Sequence, residues 1–388
     1  MKLVVVSHKL CWKGKCGQYY TDGGFPMQIG TLAELFETTT LAVPISDEAP
    51  PPGTVVIPNI SNVVHLDCLK VNRVLGKAAF LFWTTRNLGR LQHSVREADA
   101  VHAPIPGDIG TIGISLAMVF RKPLFVRHCG NWLAPRTLAE RLWKRGMELF
   151  AGGRNVMLAT GGASRSPSDR NPNLKWIFST SLRESQMTGS TGRTLPTNNE
   201  LRLITASRQE PNKGTDRVIE SLPKIAIDFP KVQLDVVGDG SMMPFLRKLA
   251  ADLGVVDRVR FHGKVKQPDV LSLMRAADIF CYPTNASEGF PKVVLEALSA
   301  GLPVITTPVS VLPMLIDESC GRIIDDPSPT TITSAVKSIA TDSVSYEALS
   351  KGAIARARGY TLERWRDTIK GHLANAWGEK GFRQLEPI

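Results

Sequence analysis

Two carboxylates stand out for chemistry, Glu288 and Glu296, in the run Glu288-Gly-Phe-Pro-Lys-Val-Val-Leu-Glu296. Pro291 suits the first position of a helix and Gly301 the residue after its last turn, so a helix is predicted over 291–300. Glu288 then lies in the loop ahead of that helix, and Glu296 sits on its second turn facing the same end. Free N–H groups and the macrodipole at a helix start attract an anion. A carboxylate beside an anion is unfavourable unless it binds something else, and sugar hydroxyls are natural partners for it. The pair also reads more simply, as a capping acid and an exposed helical Glu.

A second constellation is Ser207-Arg208-Gln-Glu-Pro-Asn-Lys213-Gly214. A planar fork and a point charge in one strand-to-helix loop can both approach a diphosphate. Breaking a glycosyl–phosphate bond leaves negative charge on the departing diphosphate, and fixed cations stabilise it without proton transfer. A solvated basic loop is the plainer reading. Gly238-Asp-Gly240 follows a strand and reads as a tight turn or a phosphate-approaching loop. Gly23 and Gly24, in Thr21-Asp-Gly-Gly-Phe25, permit close backbone approach to a ligand or serve loop flexibility.

The elements that position these residues are clearest in the second half. Strands are predicted at 201–206, 232–237, 259–261, 279–282 and 304–307. Helices are predicted from about Asp216, through Phe245 to Leu253, and over 270–277. Val218, Ile219, Leu222 and Ile225 share one face of the first of these helices. Such alternation predicts an α/β fold with a doubly wound parallel sheet, and ligands then bind beyond the carboxyl ends of the strands. The first half also reads as α/β: strands at 2–6, 41–43, 55–57, 100–102 and 124–126, helices at 27–36 and about 110–120. The polar stretch 188–199 reads as the region of a linker. A last helix over 362–376 carries Trp365, Ile369, Leu373 and Trp377 at helical spacing.

At 388 residues two domains are the default. The apolar run Leu3–Val6 is too short for a signal peptide, and no apolar stretch is long enough to span a bilayer, so a cytoplasmic protein is expected. Six scattered cysteines form no CxxC pair, which speaks for reduced thiols and against a metal cluster. The net charge of +11 is uneven: residues 1–195 hold 23 Lys plus Arg against 13 Asp plus Glu, and residues 196–388 hold 24 against 23. A basic half suggests an anionic partner such as a membrane, a lipid phosphate or nucleic acid.

Taken together the motifs resemble the retaining GT-B glycosyltransferases of the family-4 type (glycosyl transferases group 1). The resemblance rests on Gly23-Gly24, Arg208 with Lys213, Gly238-Asp-Gly240, Phe261-His-Gly263, Met274-Arg-Ala-Ala-Asp278, and Glu288 to Gly301 with Pro303, in order and at family spacing. It implies two Rossmann-like doubly wound domains facing a cleft: an acceptor-side domain over 1–190, a nucleotide-sugar domain over 197–360, and a C-terminal segment 361–388 crossing back. It implies that Arg208 and Lys213 contact the diphosphate. Glu288 and the backbone of Gly289, Phe290 and Pro291 would contact the donor sugar, and Glu296 the ribose. Gly23 and Gly24 would approach the donor from the other domain. A histidine near the donor sugar is typical of the resemblance: His128 is the better candidate, His102 the alternative, and either also reads as a structural histidine.

The expected activity is transfer of a sugar from a nucleoside-diphosphate sugar to a hydroxyl acceptor (glycan, glycolipid or polysaccharide precursor), with retention. No cofactor or metal is expected beyond the donor itself. Arg136 to Phe150 reads as a basic amphipathic helix. Packing on the core with a solvated basic face is favoured for it, and lying on an anionic membrane, at its inner face, is the alternative. Competing functions are a sugar-nucleotide epimerase on the same architecture and, more remotely, a basic nucleic-acid-binding protein. The latter lacks any recognised nucleic-acid-binding signature.

Overall fold

The computed structural model describes all residues except 69–75, 136, 164, 188–190, 196–199, 288 and 385–388. Glu288, Arg136 and most of the expected linker stretch therefore lie outside the described residues. The chain divides into two units, one of Met1–Ser181 with Leu362–Ile388 and one of Leu182–Thr361. The first unit ends ahead of residue 190 because Leu182 and Met187 are buried in the core of the second.

The first unit opens with β1 (Lys2–Val6), β2 (Cys11–Lys13), β3 (Tyr19–Thr21), α1 (Phe25–Ala33) and β4 (Thr38–Ser46). It continues through β5 (Val55–Val56), β6 (Asn62–Leu66), α2 (Gly76–Glu97), β7 (Ala100–Ile105) and α3 (Asp108–Val119). Then follow β8 (Leu124–His128), α4 (Leu138–Phe150), β9 (Asn155–Thr160) and β10 (Lys175–Ile177). The strands order as β10-β9-β8-β7-β1-β4-β2-β3-β5, with β6 also on β4. The β10-to-β4 stretch pairs in parallel, and only the short β2, β3 and β5 bring antiparallel pairs. Such a sheet is covered on both faces, so β1 is a continuous buried apolar run, Leu3 to Val6.

The second unit runs β11 (Arg202–Ala206), α5 (Thr215–Asp228), β12 (Gln233–Val237), α6 (Met243–Asp252), β13 (Val259–Gly263) and α7 (Gln267–Ala276). It continues with β14 (Ile279–Tyr282), α8 (Lys292–Ser299), β15 (Val304–Thr306), α9 (Leu312–Leu315) and β16 (Gly321–Ile323). Helices α10 (Pro329–Ala340) and α11 (Ser343–Arg358) complete it. Val218, Ile219, Leu222 and Ile225 of α5 are all buried, as their spacing predicts. All strands are parallel, in the order β13-β12-β11-β14-β15-β16. This is the doubly wound order whose direction reverses between its first and fourth strands, here β11 and β14.

The last helix, α12 (Leu362–Trp377), belongs to the first unit. Trp365, Ile369 and Leu373 are buried there among Leu3, Val5, Leu41 and Phe125. Arg366 donates to Glu34, the C-cap of α1, at 2.7 Å, and the Trp377 indole donates to Arg154 O at 2.9 Å.

The expectation that the basic amphipathic helix packs on the core holds in part: Met147 and Trp143 lie against it, but the leucines do not. Of α4 only Met147 is buried. Leu138, Leu142 and Leu149 are 72%, 64% and 66% exposed.

Candidate donor site

The switch point brings two loops side by side, Ser207–Gly214 after β11 and Pro283–Pro291 after β14. The first turns sharply: Asn212 has φ +69° and Gly214, which caps α5, has φ +81°. A Cβ on Gly214 would stand 2.2 Å from Pro283 O, so only glycine lets the loops meet. They are laced together where Asn285 N and the Thr284 hydroxyl both donate to Asn212 O, at 2.8 and 3.0 Å. Arg208 is exposed on this loop, while Lys213 is buried at 8% exposure.

The residue that organises the loop is one the sequence did not single out. Gln209 is buried, and its amide donates to Ser207 O at 3.2 Å and Val237 O at 2.9 Å. Its oxygen accepts from the Thr215 hydroxyl at 2.7 Å. Its backbone pairs with the turn after β12: Gln209 N donates to Asp239 O at 3.0 Å and Met242 N to Gln209 O at 2.9 Å. Gly238 and Gly240 permit this approach. A Cβ on Gly238 (φ +108°) would fall 1.8 Å from Ser207 O, and one on Gly240 would fall 2.4 Å from Gln209 O. Gly238 N–H donates to Gly263 O and Gly240 N–H to the Asp239 carboxylate, so both are engaged within the fold.

On the other loop, α8 opens at Lys292, one residue later than predicted, because Pro291 is its cap with extended backbone (φ −82°, ψ 91°). Gly301 at φ +73° ends it, with Leu302 N donating to Ala297 O at 3.1 Å. Gly289 and Phe290 are half-buried, and the Phe290 ring lies 6.0 Å from that of Tyr360. Glu296 accepts from the Gln267 amide at 2.6 Å. Burial pushes its carboxyl above the usual range, against the pull of Gln267 and the Lys292 charge. Tyr282, Thr284, Ala286, Pro291, Ser310 and Val311 line a shallow recess at the start of α8. Burial pushes the Tyr282 phenol up to about 12, the Arg208 charge opposing it, which keeps it a neutral donor.

Two other parts of the recurring pattern are structural. Asp278 accepts from Arg202 N at 2.8 Å at the amino end of β11, away from the loops above. The fully buried Asp235 takes Arg202 at 2.7 Å and His262 at 2.7 Å.

With this geometry, residues 192–356 match the glycosyl transferases group 1 family. That match covers most of the second unit and less than half of the chain. Across 180 residues the chain is 32% identical to the GDP-mannose-dependent alpha-(1-6)-phosphatidylinositol monomannoside mannosyltransferase of Mycobacterium tuberculosis, covering 45% of this chain and 46% of that protein. The chain thus spans about half the length of the curated relatives it matches. Over 97% of its length it is similar in fold to HepE of Anabaena in complex with UDP (all of that chain, TM-score 0.69, 18% identity). A glycosyltransferase from Rickettsia africae matches over 97% of this chain and 98% of its own (TM-score 0.70, 14% identity). The fold is GT-B, two Rossmann-like units.

In the first unit, Gly23 has φ +70° with open space where a Cβ would stand, so its need for glycine is conformational. Gly24 caps α1. His128 is the last residue of β8 rather than a loop residue, buried, its ring edge-on to Trp132 at 5.2 Å. Its Nδ1 has no hydrogen-bond partner among the described residues. His102 is fully buried, stacked on Phe125 at 4.2 Å with Nδ1 against Phe125 O at 3.0 Å. Beside it the buried Arg127 donates to Gln28 of α1 at 2.7 Å, and the Gln28 amide in turn donates to Thr180 O at 2.9 Å. This network under α1 was also missed, its members being far apart in sequence. Among the described residues no group of three or more His, Cys, Asp or Glu could hold a metal ion.

Burial drives His102 down to about 3 and His128 to about 4, so both rings are neutral near pH 7. Their unfolded value is 6.5, so on acidification the unfolded chain takes up protons first. Stability is therefore unaffected by them above pH 6.5 and is lost progressively from pH 6.5 down to about pH 4 and below. Urea melts across this window are expected to show a loss of several kcal/mol for the first unit. A flat profile would contradict the neutral, buried state of the two rings.

Proposed function

We propose that the chain transfers a sugar from a nucleoside-diphosphate sugar to a hydroxyl acceptor, with retention at the anomeric carbon. The observation that carries this reading is the meeting, at the β11/β14 switch point, of the Arg208–Lys213 loop with the Pro283–Asn285 turn that leads towards α8. Arg208 and Lys213 neutralise the diphosphate, Glu288 and the backbone of Gly289 to Pro291 hold the sugar, and Glu296 takes the ribose hydroxyls. Gly238 and Gly240 support the donor site by seating the Arg208 loop, and Gly23, Gly24 and His128 are proposed as donor-binding residues on the resemblance alone. We favour a front-face course: the acceptor oxygen bonds to the anomeric carbon as the bond to the diphosphate breaks, and the acceptor proton passes to the departing phosphate oxygen. No cofactor beyond the donor is invoked.

The mannosyltransferase relative acts, by its name, on a phosphatidylinositol glycolipid. A lipid-linked acceptor, met at the inner face of a membrane by a cytoplasmic protein, fits this chain's basic first half. The test is a thermal-shift panel of UDP-, GDP-, ADP- and TDP-sugars, since a ligand bound only by the native state raises stability, followed by product analysis. Release of free nucleoside diphosphate with retained configuration supports transfer; an isomerised sugar without an acceptor adduct supports an epimerase. Protection by none of the four overturns the donor site.

Glu296 offers a pH test. Its raised carboxyl pKa means that it gains a proton at higher pH than an ordinary Glu. Donor affinity measured by calorimetry is expected to weaken on acidification before the usual carboxylate range is reached. Glu296→Gln should bind more weakly at neutral pH and lose that acid dependence. An unchanged profile removes Glu296 from the ribose.

A further inference from the structure

We propose that the outer face of α4 is a docking surface for anionic lipid bilayers. This deepens the reading of a lipid-borne acceptor by naming the surface that meets the lipid. Thr137 and Glu140 form a capping box that starts the helix. Met147 is buried and Trp143 packs against the core, its indole donating to Thr111 of α3 at 2.8 Å. At 100° per residue, Leu138, Leu142 and Leu149 fall on one stripe opposite Met147, and all three are mostly exposed. Exposed leucines occur singly on most proteins; a stripe directly opposite the packed face of one helix is a different matter.

The charges sort themselves to match. Glu140 is turned to the cap, and Glu148 accepts from the Ser168 hydroxyl at 3.1 Å and faces Arg170 at 3.8 Å. Lys144 folds back over the Trp132 ring at 5.0 Å. Arg141 and Arg145 are left exposed beside the leucine stripe, with no ion pair among the described residues. A leucine ridge with arginines alongside suits a helix lying in a membrane interface, its side chains in the acyl boundary and its guanidinium groups at lipid phosphates. A second copy is a poorer occupant, because a symmetric pairing of this face would set arginines against arginines. Among the described residues no helix is long and apolar enough to cross a membrane, so the contact is one of lying on the bilayer.

The test is cosedimentation of the full chain with vesicles of phosphatidylcholine alone or mixed with phosphatidylglycerol. Neither lipid carries inositol or a sugar, so capture does not report acceptor recognition. The full chain is expected to sediment with the anionic vesicles only, and less so in high salt. Leu142→Ser/Leu149→Ser and Arg141→Glu/Arg145→Glu should each lower partitioning roughly tenfold. These positions are exposed, so thermal-shift protection by the nucleotide sugar should persist and shows that the variants are folded. Equal binding by wild type and both variants, or no binding by any, overturns the proposal. So does a shift from dimer to monomer in the variants without vesicles, which would assign the stripe to a second copy. Failure of vesicle binding leaves donor protection intact, and failure of donor protection leaves vesicle binding intact, so the two readings fall separately.

Discussion

Lys213→Ala is expected to lower kcat for sugar transfer by about a hundredfold to a thousandfold, the usual effect of removing one fixed electrostatic donor from a developing anion. The magnitude follows from where the lysine sits. Its side chain is buried in the loop after β11, where water cannot replace it and the charge is held before the reaction begins. Because diphosphate charge grows as the glycosyl bond breaks, the loss should fall more on kcat than on KM. Arg208 is exposed, and solvent makes up part of its loss, so Arg208→Ala should be milder. Glu288→Ala, removing the proposed sugar ligand, is expected to match the Lys213 effect. Steady-state kinetics with the donor found in the panel measure all three. Near-normal turnover in both Lys213→Ala and Glu288→Ala would sink the site assignment.

Gly238→Ala should cost about 3 kcal/mol of stability in the second unit and abolish donor protection. The new methyl would stand 1.8 Å from Ser207 O, a backbone atom that cannot swing aside as a side-chain tip can. Relief requires the whole Ser207–Gln209 segment to move, which breaks the Gln209 bonds to Val237 O and Asp239 O and carries Arg208 away with it. Gly263→Ala is the control. That residue also has positive φ (+64°) but open space around the added methyl, so only the conformational cost of about 1–2 kcal/mol applies. Its donor protection should survive. Equal losses in the two variants would refute the argument that steric seating of the Arg208 loop, rather than backbone conformation, makes Gly238 necessary.

The second unit was legible because short buried strands alternate with helices of clear face, as in Val218, Ile219, Leu222 and Ile225 of α5. Strand order was not, since pairing β11 between β12 and β14 is set by packing far from any local pattern. The first unit read less well for identifiable reasons. Helix α2 went unseen because Asn87 sits on its buried face, giving its amide to Trp83 O at 2.8 Å and breaking the apolar period. The lateral strands β2 and β3 are too short to show alternation. At the site the charged residues announced themselves, whereas Gln209 acts through the carbonyls of Ser207 and Val237, which no side-chain spacing reveals. An amphipathic period does not say which side of α4 meets the core: Met147 and Trp143 do, and the leucine stripe faces out.

Because Leu362–Ile388 belongs to the unit that begins at Met1, the first unit is interrupted by the second. On the ribosome the early strands emerge long before Trp365, Ile369 and Leu373, which fill the core over Leu3 and Leu41. The inserted unit, contiguous from Leu182 to Thr361, is complete first. Until α12 is synthesised, that face of the N-terminal sheet is covered only in part, by Ile29 and Leu32 of α1, and the exposed remainder is open to aggregation.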